Sequence, residues 1–222
     1  MVEAGTPYSA IDGPAAERAC RAALAKFPDH PRLLSFLGDA LFSQDKQREG
    51  VAVFRRAAEL GDPTGQTSLG IAYYYGFGVG QSYAEAVSWM QRAEAQDYPG
   101  AWVALGIYHE DGRGTTRSFE RAAEYFGRAH AAGDPVGSSL LGRLHEHGRG
   151  LPRDPNRAAD LYILALKGGI EWMYTTKQAW TPETGRAVQL RLRDLGYYDG
   201  AIDGAIGPGT KAAMQALRNA SL

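Results

Sequence analysis

The sequence predicts an all-α protein: a right-handed α-solenoid of helix-turn-helix repeats with a small C-terminal helical domain packed on its end. Three observations carry that prediction. Gly76, Gly112 and Gly148 stand 36 residues apart, as do Gly78, Gly114 and Gly150. Pro63, Pro99 and Pro135 keep the same step, and so do the pairs Leu69-Gly70, Leu105-Gly106 and Leu141-Gly142. Two further columns, Phe54-Met90-Phe126-Tyr162 and Ala57-Ala93-Ala129-Ala165, repeat in that register. Self-similarity at a fixed period of this size marks stacked supersecondary units, none able to bury its own apolar face alone.

Residues 1–13 read as an N-terminal extension. Over residues 14–61 the period tightens to 34, aligning Cys20 with Phe54 and Ala23 with Ala57. Leu37-Gly38 lies 32 residues before Leu69-Gly70, so the added residues of the later units belong in the loop between helices. Residues 62–169 hold three 36-residue units of two helices each. The first helix of each opens at Asp62-Pro63, Tyr98-Pro99 or Asp134-Pro135, with proline at its first position. It stops at the loop glycines, which turn the chain with positive φ at no steric cost. The second helix begins near Ser82, Ser118 or Asp154-Pro155. Small residues such as Gly70, Ala86 and Ala93 let neighbouring helices approach closely.

The 36-residue step fails after Gly169. Residues 170–180 read as a capping segment, with Trp172 and Trp180 in the seam. Thr181-Pro182-Glu183 is a helix start: a Thr cap, Pro at the first position and an acid in the first turn. That helix carries Val188, Leu190, Leu192 and Leu195 and ends at Gly196. After the turns at Asp199-Gly200 and Asp203-Gly204, Gly209-Thr210 opens a last helix through Leu217.

Composition narrows the function. Lys plus Arg number 24 against 25 Asp plus Glu, a net charge of -1, so the basic field that sequence-independent nucleic-acid binding needs is missing. Hydrophobic residues make up 44%, enough for a packed core. The single cysteine, Cys20, excludes an internal disulfide framework. No apolar stretch approaches the ~18–20 residues of a membrane span. The opening Met-Val-Glu-Ala-Gly-Thr has no basic region followed by an apolar run, so no export signal is expected in this chain.

Residues 14–61 resemble a tetratricopeptide repeat, with Leu34, Leu37, Gly38, Leu41, Gly50, Phe54 and Ala57 in that motif's spacing. The three 36-residue units resemble the related Sel-one-like repeats, whose mark is a longer Gly-x-Gly loop. Gly76-Phe77-Gly78-Val79-Gly80 fits it best, followed by Gly112-Arg113-Gly114 and Gly148-Arg149-Gly150. The resemblance implies a non-enzymatic scaffold or adaptor for protein or peptide partners, with no cofactor. Residues 181–222 resemble a shortened peptidoglycan-binding-like helical domain, through Leu195-Gly196-Tyr197-Tyr198, Asp199-Gly200, Asp203-Gly204, Ile206-Gly207-Pro208, Thr210 and Ala213. Ala216-Leu217-Arg218 stands where that family has an aromatic-Gln pair, and its third helix is absent. A piece of this size is at the edge of independent stability, so it is expected to pack on the last solenoid helices. This second resemblance implies peptidoglycan as a ligand, with Tyr197, Tyr198, Asp199, Asp203 and Thr210 as candidate contacts, and a bacterial periplasm or cell-envelope location. The order of parts also resembles the tail of some bacterial proteins headed by a caspase-like peptidase domain. That leaves two alternatives to a scaffold: a peptidoglycan-binding protein proper, or the regulatory tail of a larger hydrolase.

No constellation points to catalysis or to a bound metal. In His145-Glu146-His147 the two imidazoles sit at i and i+2, on different helix faces, and His109 and His145 share the packing column of Tyr73. Asp199 and Asp203 read as turn residues capping backbone N–H groups, since alanines and Ile202 fill the gaps a calcium loop would need for ligands. Cys20 reads as an inert core thiol. The glycine loops follow helices and lack Gly-Lys-Ser/Thr, which excludes a phosphate loop. The inner wall of the solenoid is the remaining candidate. Taking the Leu-Gly pair as register, its concave column contains Phe42, Ile71, Tyr74, Tyr75, Glu110, Asp111, Arg143, Glu146 and His147, a mixed groove suited to an extended peptide or a helix.

Overall fold

The computed structural model of the 222-residue chain describes residues 12–171 and 180–221. The expected extension before residue 12 and Trp172 lie outside the described residues. Those described form eleven helices and no strand: α1 (Gly13–Leu24), α2 (Pro31–Phe42), α3 (Gln47–Glu59), α4 (Pro63–Tyr75), α5 (Tyr83–Glu94), α6 (Pro99–Asp111), α7 (Phe119–Ala131), α8 (Pro135–His147), α9 (Pro155–Lys167), α10 (Pro182–Asp194) and α11 (Pro208–Asn219). The fold is an α-solenoid with a C-terminal helical region.

Helix boundaries follow local chemistry. The carboxylates of Asp62 and Asp134 accept from the N–H groups of Gly65 and Gly137, capping α4 and α8. Ser82, Ser118 and Asp154 cap α5, α7 and α9 by accepting from Glu85, Arg121 and Arg157. α4 and α8 end at left-handed Gly76 and Gly148.

Two columns visible in the sequence meet in space. A Cβ added at Gly38 would lie 2.3 Å from the Phe54 ring, and one at Gly70 3.0 Å from Met90. One at Gly106 would lie 2.4 Å from Phe126, and one at Gly142 2.9 Å from Tyr162. Each large side chain therefore packs directly against the glycine of its partner helix, and all four are fully buried.

The loop between helices is built the same way three times. Side chains of Gln81, Arg117 and Arg153 donate to the carbonyls of Tyr74, Glu110 and Glu146, at 2.8, 3.1 and 3.1 Å. They satisfy carbonyls that the end of a helix leaves orphaned. The second loop glycine rests on the preceding repeat. A Cβ at Gly150 would fall 2.2 Å from the Phe119 carbonyl carbon, and φ there is 71°, so both space and backbone require glycine.

The chain divides into two compact units, Met1–Leu105 with Arg113–Thr115 and Gly106–Gly112 with Thr116–Leu222, the boundary falling inside α6. In the first, Val51, Phe54, Ala58, Leu69, Ala72 and Trp89 form a core. In the second, Tyr162, Ile163 and Leu166 of α9 share one core with Trp180, Val188, Leu192, Met214 and Leu217. α9 thus supplies part of the core of the C-terminal region, and the Trp180 ring stacks on Tyr162 at 4.9 Å. Arg218, at the position where the resemblance breaks, reaches back to the Gly169 carbonyl at 3.0 Å and to Glu171 at 2.6 Å. Two details differ from expectation. α11 begins at Pro208 and runs to Asn219, and Leu195 is 42% exposed because it caps α10 beyond the buried stripe.

Candidate functional site

The nine predicted groove residues separate by environment. In the first unit Ile71 and Tyr75 are exposed, at 38% and 48%. Phe77, which sequence reasoning did not single out, is 40% exposed and stacks on Tyr75 with ring centroids 5.2 Å apart. Phe42 is half-buried against Phe54, and Tyr74 is buried at 2%. In the second unit Asp111 and His147 are exposed and Arg143 is half-buried, whereas Glu110 and Glu146 are 9% and 1% exposed.

Tyr74, Glu110 and Glu146 are therefore corrections: they do not present their side chains to a partner. The reason is helical phase. Each stands four residues after the packed glycine of its helix, Gly70, Gly106 or Gly142, and so shares that buried face. Ile71 and Tyr75, one and five residues on, point away from it.

Both buried carboxylates are satisfied. Glu146 accepts from the Tyr162 hydroxyl at 2.7 Å and from the backbone N–H of Thr181 at 2.6 Å. Burial, reinforced by the Glu146 charge, pushes the Tyr162 phenol far up, which keeps it a donor. Glu110 accepts from Arg143 at 2.5 Å, and Arg149 lies 4.0 Å away.

A cavity of about 670 Å³ lies in the first unit between the start of α3 and the first loop, lined by Lys46, Gln47, Arg48, Gly76, Gly78 and Val79 among others. In the later loops Arg113 and Arg149 lie over the rings of Tyr83 and Phe119, at 5.9 and 5.6 Å. The corresponding Phe77 turns onto Tyr75 instead, and the space stays open.

At the C-terminal end Tyr197 and Tyr198 are half-buried and packed against the shared core. With Gly196 and exposed Asp199 they line a depression of about 360 Å³. Asp203 accepts from Gln189 at 2.9 Å and from the Ala205 N–H at 2.8 Å, and the Gln189 bond foremost holds its carboxyl below the usual range. Thr210 is a further correction: it is 2% exposed and donates to the Ala205 carbonyl, so it braces the turn from inside. Gln189, fully buried, joins this turn to α10 by also accepting from the Gly204 N–H at 2.8 Å. Its only sequence signal is a polar residue within an apolar stripe.

His145 is half-buried and His147 exposed, on different faces. His109, also half-buried, lies 3.1 Å from the Thr116 carbonyl and stacks on Tyr125. Cys20 is half-buried rather than a core thiol, and its burial, with the nearby Asp39 charge, pushes its pKa up, away from nucleophilic character. Among the described residues no helix is long and apolar enough to cross a membrane.

Residues 183–218 match the peptidoglycan binding domain family model. The Sel1 repeat model matches residues 37–62, 63–98, 103–134 and 137–170. The chain is similar to a Sel1 repeat protein from Oxalobacter formigenes, with a TM-score of 0.61 and 21% identity over 95% of this chain and 84% of that one. It is also similar to c5321, a protective antigen present in uropathogenic Escherichia coli strains and displaying an SLR fold, with a TM-score of 0.60 and 21% identity. That match covers 94% of this chain but only 54% of the antigen. No curated protein matches the chain. At this identity the two structures speak for the fold alone. The four repeat matches span more than half of the sequence, and this chain belongs to the Sel1 repeat family.

Proposed function

We propose that the chain is a non-enzymatic adaptor that holds a protein or peptide partner on the exposed face of its first helices. Sel1 repeats are typically scaffolds for protein–protein interaction. The observation that carries the reading is the cluster of Ile71, Tyr75 and Phe77. These are three large, partly exposed apolar side chains, Ile71 and Tyr75 a helical turn apart on α4 and Phe77 stacked on Tyr75 just past the helix's Gly76 cap. In the second unit the equivalent repeat positions include Asp111, Arg143 and His147. The proposed division remains tetratricopeptide-like at 14–61, Sel1-type at 62–169 and peptidoglycan-binding-like at 181–222. A photo-crosslinking residue placed at Tyr75 in the producing bacterium should give a discrete adduct, while the same residue at exposed Gln91 on α5 should give none. Absence of adducts from Tyr75, or equal adducts from both, would overturn the reading.

A second reading, peptidoglycan binding by the C-terminal region in the bacterial envelope, is supported by the depression at Gly196–Asp199 and the family match over it. Peptidoglycan sacculi should then sediment the protein. Asp199→Ala, at an exposed position, should reduce the bound fraction several-fold with the melting curve retained. No sedimentation of the intact chain would make this region a structural cap only.

A further inference from the structure

The three loops between helices are seated alike but not filled alike. Each rests its second glycine on the first residue of the helix beneath it: Gly78 on Gln47, Gly114 on Tyr83 and Gly150 on Phe119. In the later two that first residue is aromatic and half-buried, and the loop lays Arg113 or Arg149 over its ring at 5.9 and 5.6 Å. The first loop lacks both parts. α3 opens with Gln47, and Phe77 stands at the arginine position and stacks on Tyr75. The cavity of about 670 Å³ opens at this point, with Gln47 and Val79 in its wall. Charge does not select its occupant. Asp45 and Glu49 line it together with Lys46 and Arg48, Lys46 is bonded to Glu17, and Arg21 lies 3.7 Å from Glu49. What the space lacks, by comparison with its counterparts, is a ring.

The start of the chain lies at its rim. A Cβ at Gly13, the first residue of α1, would fall 2.3 Å from Ser43 Oγ and 2.7 Å from Gln44 Cγ. Glu17, one turn on, accepts from Gln44 at 2.9 Å and from Lys46 at 2.7 Å. α1 is thereby pinned to the turn that leads into α3. Residues 1–11 join the structure here, through the Asp12 cap, and hold one ring, Tyr8, and one charged side chain, Glu3. Tyr8 stands four residues before Asp12, a reach of up to about 14 Å, and Gln47, three residues beyond Gln44, is at most about 11 Å from it. Pro7 fixes the backbone just ahead of Tyr8, which lowers the freedom lost on docking.

We propose that residues 1–11 of this chain occupy the space, the Tyr8 ring taking the place that Tyr83 and Phe119 fill beneath the later loops, and compete with a partner for the flank of Tyr75 and Phe77. The docking stands by itself. The competition deepens the adaptor reading and rests on it.

A photo-crosslinking residue at Tyr8 in the purified full chain, followed by peptide mass spectrometry, tests the docking. Adducts should fall within residues 45–49 and 76–80 of the same molecule, at a yield independent of protein concentration. Gln47→Tyr, which installs the ring of the later loops, should fill the space, leave the melting curve no lower and cut the yield several-fold. No adduct, adducts elsewhere in the chain, adducts only between two molecules, or an undiminished yield in Gln47→Tyr would each overturn the proposal. In the producing bacterium, Tyr8→Ala should raise the partner adducts formed from Tyr75 several-fold, and an unchanged yield would overturn the competition. Partner adducts from Tyr75 without docking of Tyr8 would leave the adaptor reading standing. Docking without partner adducts would keep the segment in its space and remove the adaptor.

Discussion

The carboxylate of Glu146 accepts the backbone N–H of Thr181, 35 residues later in the chain, at 2.6 Å. Thr181 is the residue that caps α10, so the last turn of α8 holds the start of the C-terminal region directly. The same carboxylate takes the Tyr162 hydroxyl, and Tyr162 carries the Trp180 ring.

Removing that acceptor should be costly. Glu146→Ala leaves the Thr181 N–H and the Tyr162 hydroxyl without an acceptor in a dry site, and a loss of about 3 kcal/mol is expected. Glu146→Gln keeps one carbonyl oxygen and should recover part of it. Urea unfolding of the three proteins measures both steps.

Glycine positions with similar backbone angles should differ sharply. Gly150→Ala drives a Cβ into the Phe119 backbone and should cost several times more than Gly133→Ala. At Gly133 φ is 82° but nothing lies within 4 Å, leaving only the ~1–2 kcal/mol of left-handed strain. Thermal midpoints of the two variants decide it.

Ending the chain after Gly169 should produce a poorly behaved protein rather than a clean solenoid. Tyr162, Ile163 and Leu166, at 0%, 7% and 0% exposure, would lose the cover of α10 and α11. Increased binding of a hydrophobic dye and a lower thermal midpoint are expected. A truncated form as stable as the whole chain would contradict the shared core.

Acid should weaken the first unit through Glu17. Hydrogen bonds from Lys46, Arg21 and Gln44 lower its pKa from 4.5 to about 2. A depressed carboxyl favours the folded state above its unfolded pKa, and that support is lost as pH falls from about 4.5 through about 2. Glu17→Gln should flatten the decline in unfolding midpoint across that window.

The repeat columns were legible because they recur. Gly38, Gly70, Gly106 and Gly142 and the large residues that cover them announce their pairing by keeping step. The caps at Ser82, Ser118, Asp154 and Thr181 were legible because capping is local chemistry. Glu110 and Glu146 were misplaced because what buries a carboxylate lies far along the chain, Arg143 in one case and Thr181 in the other. Counting from Leu-Gly also blurred the phase that separates Tyr75 from Tyr74. Gln189 and Thr210 escaped for a related reason: their partners at Gly204 and Ala205 sit in a turn whose return against α10 no periodicity encodes.

The seating of each loop on the repeat before it gives the stack an order of construction. Gly78 needs the start of α3 beneath it, Gly114 the start of α5 and Gly150 the start of α7. Each loop's support therefore precedes it in the chain, so a polypeptide leaving the ribosome already carries the seat of each loop when that loop emerges.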